Sequence, residues 1–189
     1  MKIKSKFTLS LLKRNIMPRI ILYLLLIFFS SCGSVKYYIV RHAEKETATA
    51  GTTMSTPDDP PLSAAGRVRA IELKEALRDK GITHIFSTNT IRTISTAHPL
   101  DELRGVTKIE LYNTRDSLDQ LIQKLKGIKK GNSLIVGHSN TVDDIVNKLC
   151  GETKIPGDLP DTEYDNLYIV TKKGNRMKFE NKTYGTPTN

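Results

Sequence analysis

Between residues 36 and 149, short β-branched or aromatic runs alternate with segments of helical period, and this alternation limits the fold more than any other feature. "KYYIV" (residues 36–40) and "NSLIVG" (132–137) read as strands, the second nearly continuous in apolar residues and so buried on both faces. "THIFS" and "TKIELY" predict two further short strands. "LSAAGRVRAIELKEALRDKG" predicts a helix capped by Ser63, with Ala70, Leu73 and Leu77 on one face and Gly81 at its end. A second helix starts near Asn89 and carries Ile94, Ala97 and Leu100, with Pro99 bending or ending it. Leu118, Leu121, Ile122 and Leu125 give an amphipathic stripe. "NTVDDIVNKLCG" predicts a fourth helix, closed by Gly151. "NLYIVTK", a "KGN" turn and "RMKFE" read as a C-terminal edge strand pair. Strands separated by helices imply a three-layer α/β/α sandwich around a mainly parallel sheet.

In such a sheet the loops that follow the parallel strands emerge at one rim, where ligands bind. Arg41–His42 follow the first strand, Ser87, Thr88 and Arg92 the second, and Gly137, His138 and Ser139 the fourth. Two guanidinium groups, two imidazoles and several hydroxyls converging there make an anion site, and phosphate fits that density of donors best. A neutral imidazole can also attack phosphorus. Singly, Arg41 is better explained by pairing with Glu44 or another surface acid, and His42 by a place at a sheet edge. His84 and His98 read as packing or surface residues.

"VRHAEK", "PLSAAGRVRA", "STNTIRTISTA" and "VGHSNTV" together resemble the histidine phosphatase superfamily, in its phosphoglycerate-mutase-like branch, across nearly all of residues 36–172. The resemblance implies a metal-independent, cofactor-free phosphatase acting on a small phosphorylated substrate through a phosphohistidine. It makes His42 the nucleophile, has Arg41 and Arg92 hold the phosphoryl oxygens, and makes His138 the second histidine on the same group. Ser139 and Glu44 join them as substrate contacts. Ala43 stands where the family usually has glycine. The family's acidic general acid has no clear counterpart. Asp116 and Glu44 are the candidates, and with neither in place, phosphoamidates or acidic esters are the preferred substrates. Substrate identity and oligomeric state stay open.

Two other hydrolase readings fail. "GHSNT" nearly matches a G-x-S-x-G turn, but Thr141 replaces the last glycine and no histidine follows His138 to complete a triad. Four scattered histidines lack metal-site spacing. A reading from another class is a lipid-anchored phospholigand-binding protein that uses this fold with little or no turnover.

Residues 1–31 carry six positive charges, no negative one and the apolar run Ile20–Phe29, the pattern of an export signal. Ten apolar residues are too few to span a bilayer as a helix. Ser30–Ser31–Cys32 resembles a bacterial lipobox, with Phe29 in place of the usual aliphatic residue, and Met17 is an alternative start. These residues predict a lipoprotein-type signal over 1–31 and a phosphatase-like domain over 32–189. They also predict acylation of Cys32 and anchoring to a bacterial membrane, facing the periplasm or exterior. Of the 29 basic residues, 23 lie beyond position 31 against 20 acidic ones, a net +3 that argues against a nucleic-acid partner. Cys150 is then the one free thiol, so the domain rests on its core rather than on disulfides.

Overall fold

The computed structural model describes residues 33–47, 56, 58–105, 108–113 and 117–188. The leader reading, Cys32 and Asp116 lie outside these residues. Six strands form one sheet in the order β3-β2-β4-β1-β5-β6. They are β1 (Val35–Arg41), β2 (Ile82–Thr88), β3 (Glu110–Tyr112), β4 (Asn132–Gly137), β5 (Asn166–Lys173) and β6 (Arg176–Thr183). β1, β2, β3 and β4 are mutually parallel, whereas β5 runs antiparallel to β1 and β6 antiparallel to β5. The mainly parallel α/β sheet with a C-terminal edge pair is the architecture expected from the sequence.

Side chains of the central strands alternate between two cores because successive residues point to opposite faces. Tyr37, Ile39, Ile135, Tyr168 and Val170 meet helices α3 (Leu118–Gly127) and α4 (Val142–Cys150). Tyr38, Val40, Leu134, Val136, Leu167 and Ile169 meet α1 (Ala64–Leu77) and α2 (Ile91–Arg104). The sheet is thus covered on both faces, which is why "NSLIVG" is apolar without alternation. The α3 stripe Leu118, Leu121, Ile122 and Leu125 is buried throughout. Each such side chain contributes about 1.5–3 kcal/mol of transfer free energy. Tyr37 reaches the same layer and donates its hydroxyl to the Leu125 carbonyl at 2.8 Å.

Local signals account for the helix ends. Ser63 Oγ accepts from the Gly66 amide, and Gly151 closes α4 at φ 74°, where a side chain would be strained. Gly66 has a second role. A Cβ there would lie 2.1 Å from the Glu44 carbonyl oxygen, so only glycine lets α1 rest on the segment that follows β1. Two expectations shift. β3 pairs only over Glu110–Tyr112, shorter than "TKIELY". In α2, Ile94 is half-buried, while Thr93 and Thr96 join Ala97 and Leu100 on the buried face. Their hydroxyls serve the rim rather than the core.

Candidate functional site

Arg41 pairs in register with Gly137, and Ser87 with Val136, so β1, β2 and β4 end side by side at one rim. The His42 amide continues the ladder to the Gly137 carbonyl at 2.9 Å. The His42 and His138 rings meet there edge-on, with centroids 5.4 Å apart and planes at 68°.

His42 is 4 % exposed, and its Nδ1 lies 2.7 Å from the Ala43 carbonyl. A carbonyl oxygen can only accept, so Nδ1 carries the proton and Nε2 carries the lone pair. Burial pushes the His42 pKa down to about 3, and the charges of Arg41, His138 and Arg92 act in the same direction against the Ala43 bond. The ring is therefore neutral and nucleophilic at ordinary pH. Ala43 has no positive φ, so the residue that replaces the family glycine holds an ordinary backbone conformation. Its amide donates to Thr96 Oγ1 at 2.9 Å, which in turn donates to the Arg92 carbonyl at 2.7 Å. That path ties the loop carrying His42 to the helix carrying Arg92.

His138 is held through side chains. Its Nε2 lies 2.9 Å from Thr88 Oγ1, which donates to Thr93 Oγ1 at 3.0 Å, and Thr93 donates to the carbonyls of Thr88 and Thr90. With the Thr88 proton committed to Thr93, Nε2–H is the donor to Thr88, leaving Nδ1 to face Arg92 Nη2 at 3.5 Å. Burial, Arg92 and Arg41 push the His138 pKa down to about 4, and Asp59 opposes them.

The arginines offer less than a bidentate fork each. Arg41, also 4 % exposed, donates from Nη1 to the carbonyls of Pro160, Asp161 and Glu163 at 2.9–3.2 Å. Its plane stacks 4.2 Å from the Tyr164 ring. Arg92 donates from Nη1 to Asp59 Oδ1 at 3.0 Å, and Asp59 Oδ2 accepts from the Ile91 amide at the start of α2. In both arginines Nε is buried without a partner among the described residues. These two buried guanidinium N–H groups and two neutral imidazoles gather at this rim, donor chemistry of the kind that suits an oxyanion.

Glu44 corrects the sequence reading. Its carboxylate accepts from Arg69 Nε at 2.8 and 2.9 Å and pairs with Arg69 Nη2 at 2.8 Å. It is neither the partner of Arg41 nor a free acid at the rim. Ser139 lies in the turn before α4 and its carbonyl accepts from the Leu159 amide, while its side chain has no hydrogen-bond partner among the described residues. His84 and His98 are remote from the rim, at the Lys130 carbonyl and at Glu102. Among the described residues no group of three or more His, Cys, Asp or Glu could hold a metal ion.

Sequence reasoning placed Thr88 at this rim but missed Asp59, Thr93, Thr96 and Tyr164 as parts of the constellation. The run of hydroxyls in "STNTIRTIST" was the available signal for the threonines. Asp59 sat unnoticed in a Pro- and Asp-rich loop.

Comparison with known proteins agrees with this geometry. Residues 37–121 match the family model described as histidine phosphatase superfamily (branch 1). Over these residues the chain is similar to the histidine phosphatase superfamily. "Probable phosphoglycerate mutase GpmB" of Salmonella arizonae is 35 % identical over 71 residues, 38 % of this chain and 33 % of that protein. The chain thus aligns with about a third of the length of the curated relatives it matches. Among solved structures, phosphoserine phosphatase from Entamoeba histolytica in complex with 3-phosphoglyceric acid superposes with a TM-score of 0.57 at 13 % identity. The match covers 81 % of this chain and 98 % of that one. The protein histidine phosphatase SixA complexed with tungstate gives 0.55 at 16 % identity, over 78 % and 96 %. Mycobacterial glucosyl-3-phosphoglycerate phosphatase gives 0.55 at 13 % identity, over 82 % and 100 %. At these identities the solved structures speak for a shared α/β fold alone.

Proposed function

We propose that the domain is a metal-independent phosphatase that hydrolyses small phosphomonoesters or phosphoamidates through a phosphohistidine on His42. The observation that carries this reading is the fixed tautomer of His42. With Nδ1–H held by the Ala43 carbonyl at 2.7 Å, the lone pair on Nε2 is left free at the rim that the two arginines share. Nε2 attacks phosphorus, the bond to the leaving oxygen or nitrogen breaks, and the imidazole becomes an N-phosphorylated cation. Arg41 Nε and Arg92 Nε take the charge that spreads over the equatorial oxygens, the part that Mg²⁺ plays elsewhere, while His138, whose one N–H goes to Thr88, positions Arg92 beside them. Water then attacks the phosphorus, releasing orthophosphate and restoring the neutral ring. The tungstate in the SixA neighbour is an oxyanion of the same class.

Protonation of the leaving group falls to Asp116 or to water, because Arg69 holds Glu44. That engagement also favours the second reading, a phospholigand-binding protein with slow turnover. As part of the same proposal, the domain works outside the cytoplasm, tethered through Cys32, on the strength of the six positive charges and the apolar run in residues 1–31.

The test is hydrolysis of p-nitrophenyl phosphate by the full chain and by His42→Ala. The expected result is turnover that resists EDTA in the parent and is lost in the variant, with label from the substrate retained on the parent protein in alkali and released in acid. Turnover that survives in His42→Ala removes His42 as nucleophile, and tight phosphate binding without turnover in the parent favours the binder.

A further inference from the structure

The two ends of the parallel strands carry opposite charge. Connections that lead into β2, β3 and β4 run along the rim where β1 begins. Arg78 and Lys80 lie in the first, Lys108 in the second, and Lys129 and Lys130 in the third. Because β5 is antiparallel to β1, its turn into β6 lies at the same end. Val35 pairs with Lys172 there, and Lys173 and Arg176 flank the turn. Asp79 is the one acidic residue in these connections among the described residues. Of the basic ones, all but Arg78 and Lys172 are exposed and have no ion-pair partner among the described residues. The loops at the His42 end are instead mostly acidic, with Asp58, Asp59, Asp158 and Asp161 among their carboxylates against Lys45 and Lys154 among the described residues. A net charge of only +3 beyond residue 31 hides this segregation.

We propose that this basic rim docks on a surface of anionic phospholipid headgroups and holds the domain with its His42 rim turned outward. Three observations argue for a membrane over other anions. The cations are spread along the whole sheet edge, about 24 Å for six strands at the usual spacing, too wide for one small ligand. The described residues of these connections include no aromatic side chain on which a base could stack. Val35 begins β1 at this rim, so the covalent connection to the residues that precede the domain is made at this end of the sheet. The inference does not rest on the phosphatase reading. If both hold, the nucleophile stands roughly 20 Å from the docking rim, the length of β1, and acts on diffusible substrates rather than on lipids.

The chain contains no tryptophan, so single reporters can be placed. The full chain carrying Asn175→Trp, in the exposed β5–β6 turn, or Thr162→Trp, at the His42 end, is reconstituted with vesicles. These consist of phosphatidylcholine alone or an equal mixture with phosphatidylglycerol, each with a headgroup quencher. Quenching is expected at position 175 in the mixed vesicles, but neither at 175 in phosphatidylcholine nor at 162 in either. Lys129→Glu, Lys130→Glu and Lys173→Glu are expected to weaken the docked population about fivefold per charge removed, with unchanged thermal melting. Equal quenching at 175 in both vesicle types, indifference to the three reversals, or quenching at 162 in place of 175 would overturn the proposal. So would an oligonucleotide that competes with vesicles at equal charge concentration, since it would mark a general polyanion surface.

Discussion

The ends of β1 and β4 lie side by side and deliver one histidine each, yet the two are built from different material. At the β1 end the ring is fixed mostly by backbone: the Ala43 carbonyl takes Nδ1, the Glu44 carbonyl packs on Gly66, and a single side-chain hydroxyl, that of Thr96, takes the Ala43 amide. At the β4 end the ring hangs on a relay of side-chain hydroxyls, Thr88 to Thr93, and on Arg92. A backbone mount survives nearly any substitution around it. A hydroxyl relay can be cut at one atom, so the second histidine is the adjustable one.

The contrast can be broken by experiment. The largest effect is expected from His42→Ala, a loss of kcat on p-nitrophenyl phosphate of about 10⁴-fold or more, against about 10²–10³-fold for His138→Ala, which removes the group that positions Arg92 but no bond-forming atom. Equal losses in single-turnover assays would erase the distinction. Gly66→Ala should strike the β1 end through stability rather than chemistry, because its Cβ drives against the Glu44 carbonyl. About 1–3 kcal/mol is expected, read from the urea midpoint. Thr88→Val should strike the β4 end alone. It leaves His138 Nε2–H without an acceptor and is expected to lower kcat about tenfold with little change in KM.

The smallest effect is on the pH dependence of stability. Both rings have folded pKa values, about 3 and about 4, below the ordinary histidine value. As pH falls, the unfolded chain binds protons first. Stability is therefore full above the ordinary value near 6.5 and declines as pH drops through it toward those folded values. His42→Ala should show a smaller fall in urea midpoint between about pH 7 and pH 5 than the parent. An unchanged slope would place the titration elsewhere.

The parts of the fold that the sequence made legible are those where one residue type answers to one local demand. The continuous apolar run of "NSLIVG" can only be a strand covered twice, and the 118–125 stripe can only face a core. Strand order then brings Arg41, His42 and His138 together without further information. What stayed hidden depends on partners distant in the chain. Arg41 is held by carbonyls about 120 positions away, and the bond from Arg69 to Glu44 spans 25. Neither leaves a periodic trace. Thr96 looked like one more hydroxyl in a threonine-rich helix until its partner, the Ala43 amide, was in place.

The arginines' anchoring has a consequence for turnover on the proposed reading. Their terminal nitrogens stay tied, Arg41 to the 160–163 carbonyls and Arg92 to Asp59, while one Nε of each is held in reserve. Because both reserves are buried, an incoming oxyanion reaches them only as the surrounding side chains shift, and the orthophosphate left behind departs by the same shift. Product then leaves no faster than reactant enters, so escape of orthophosphate sets the pace and its accumulation throttles the enzyme competitively.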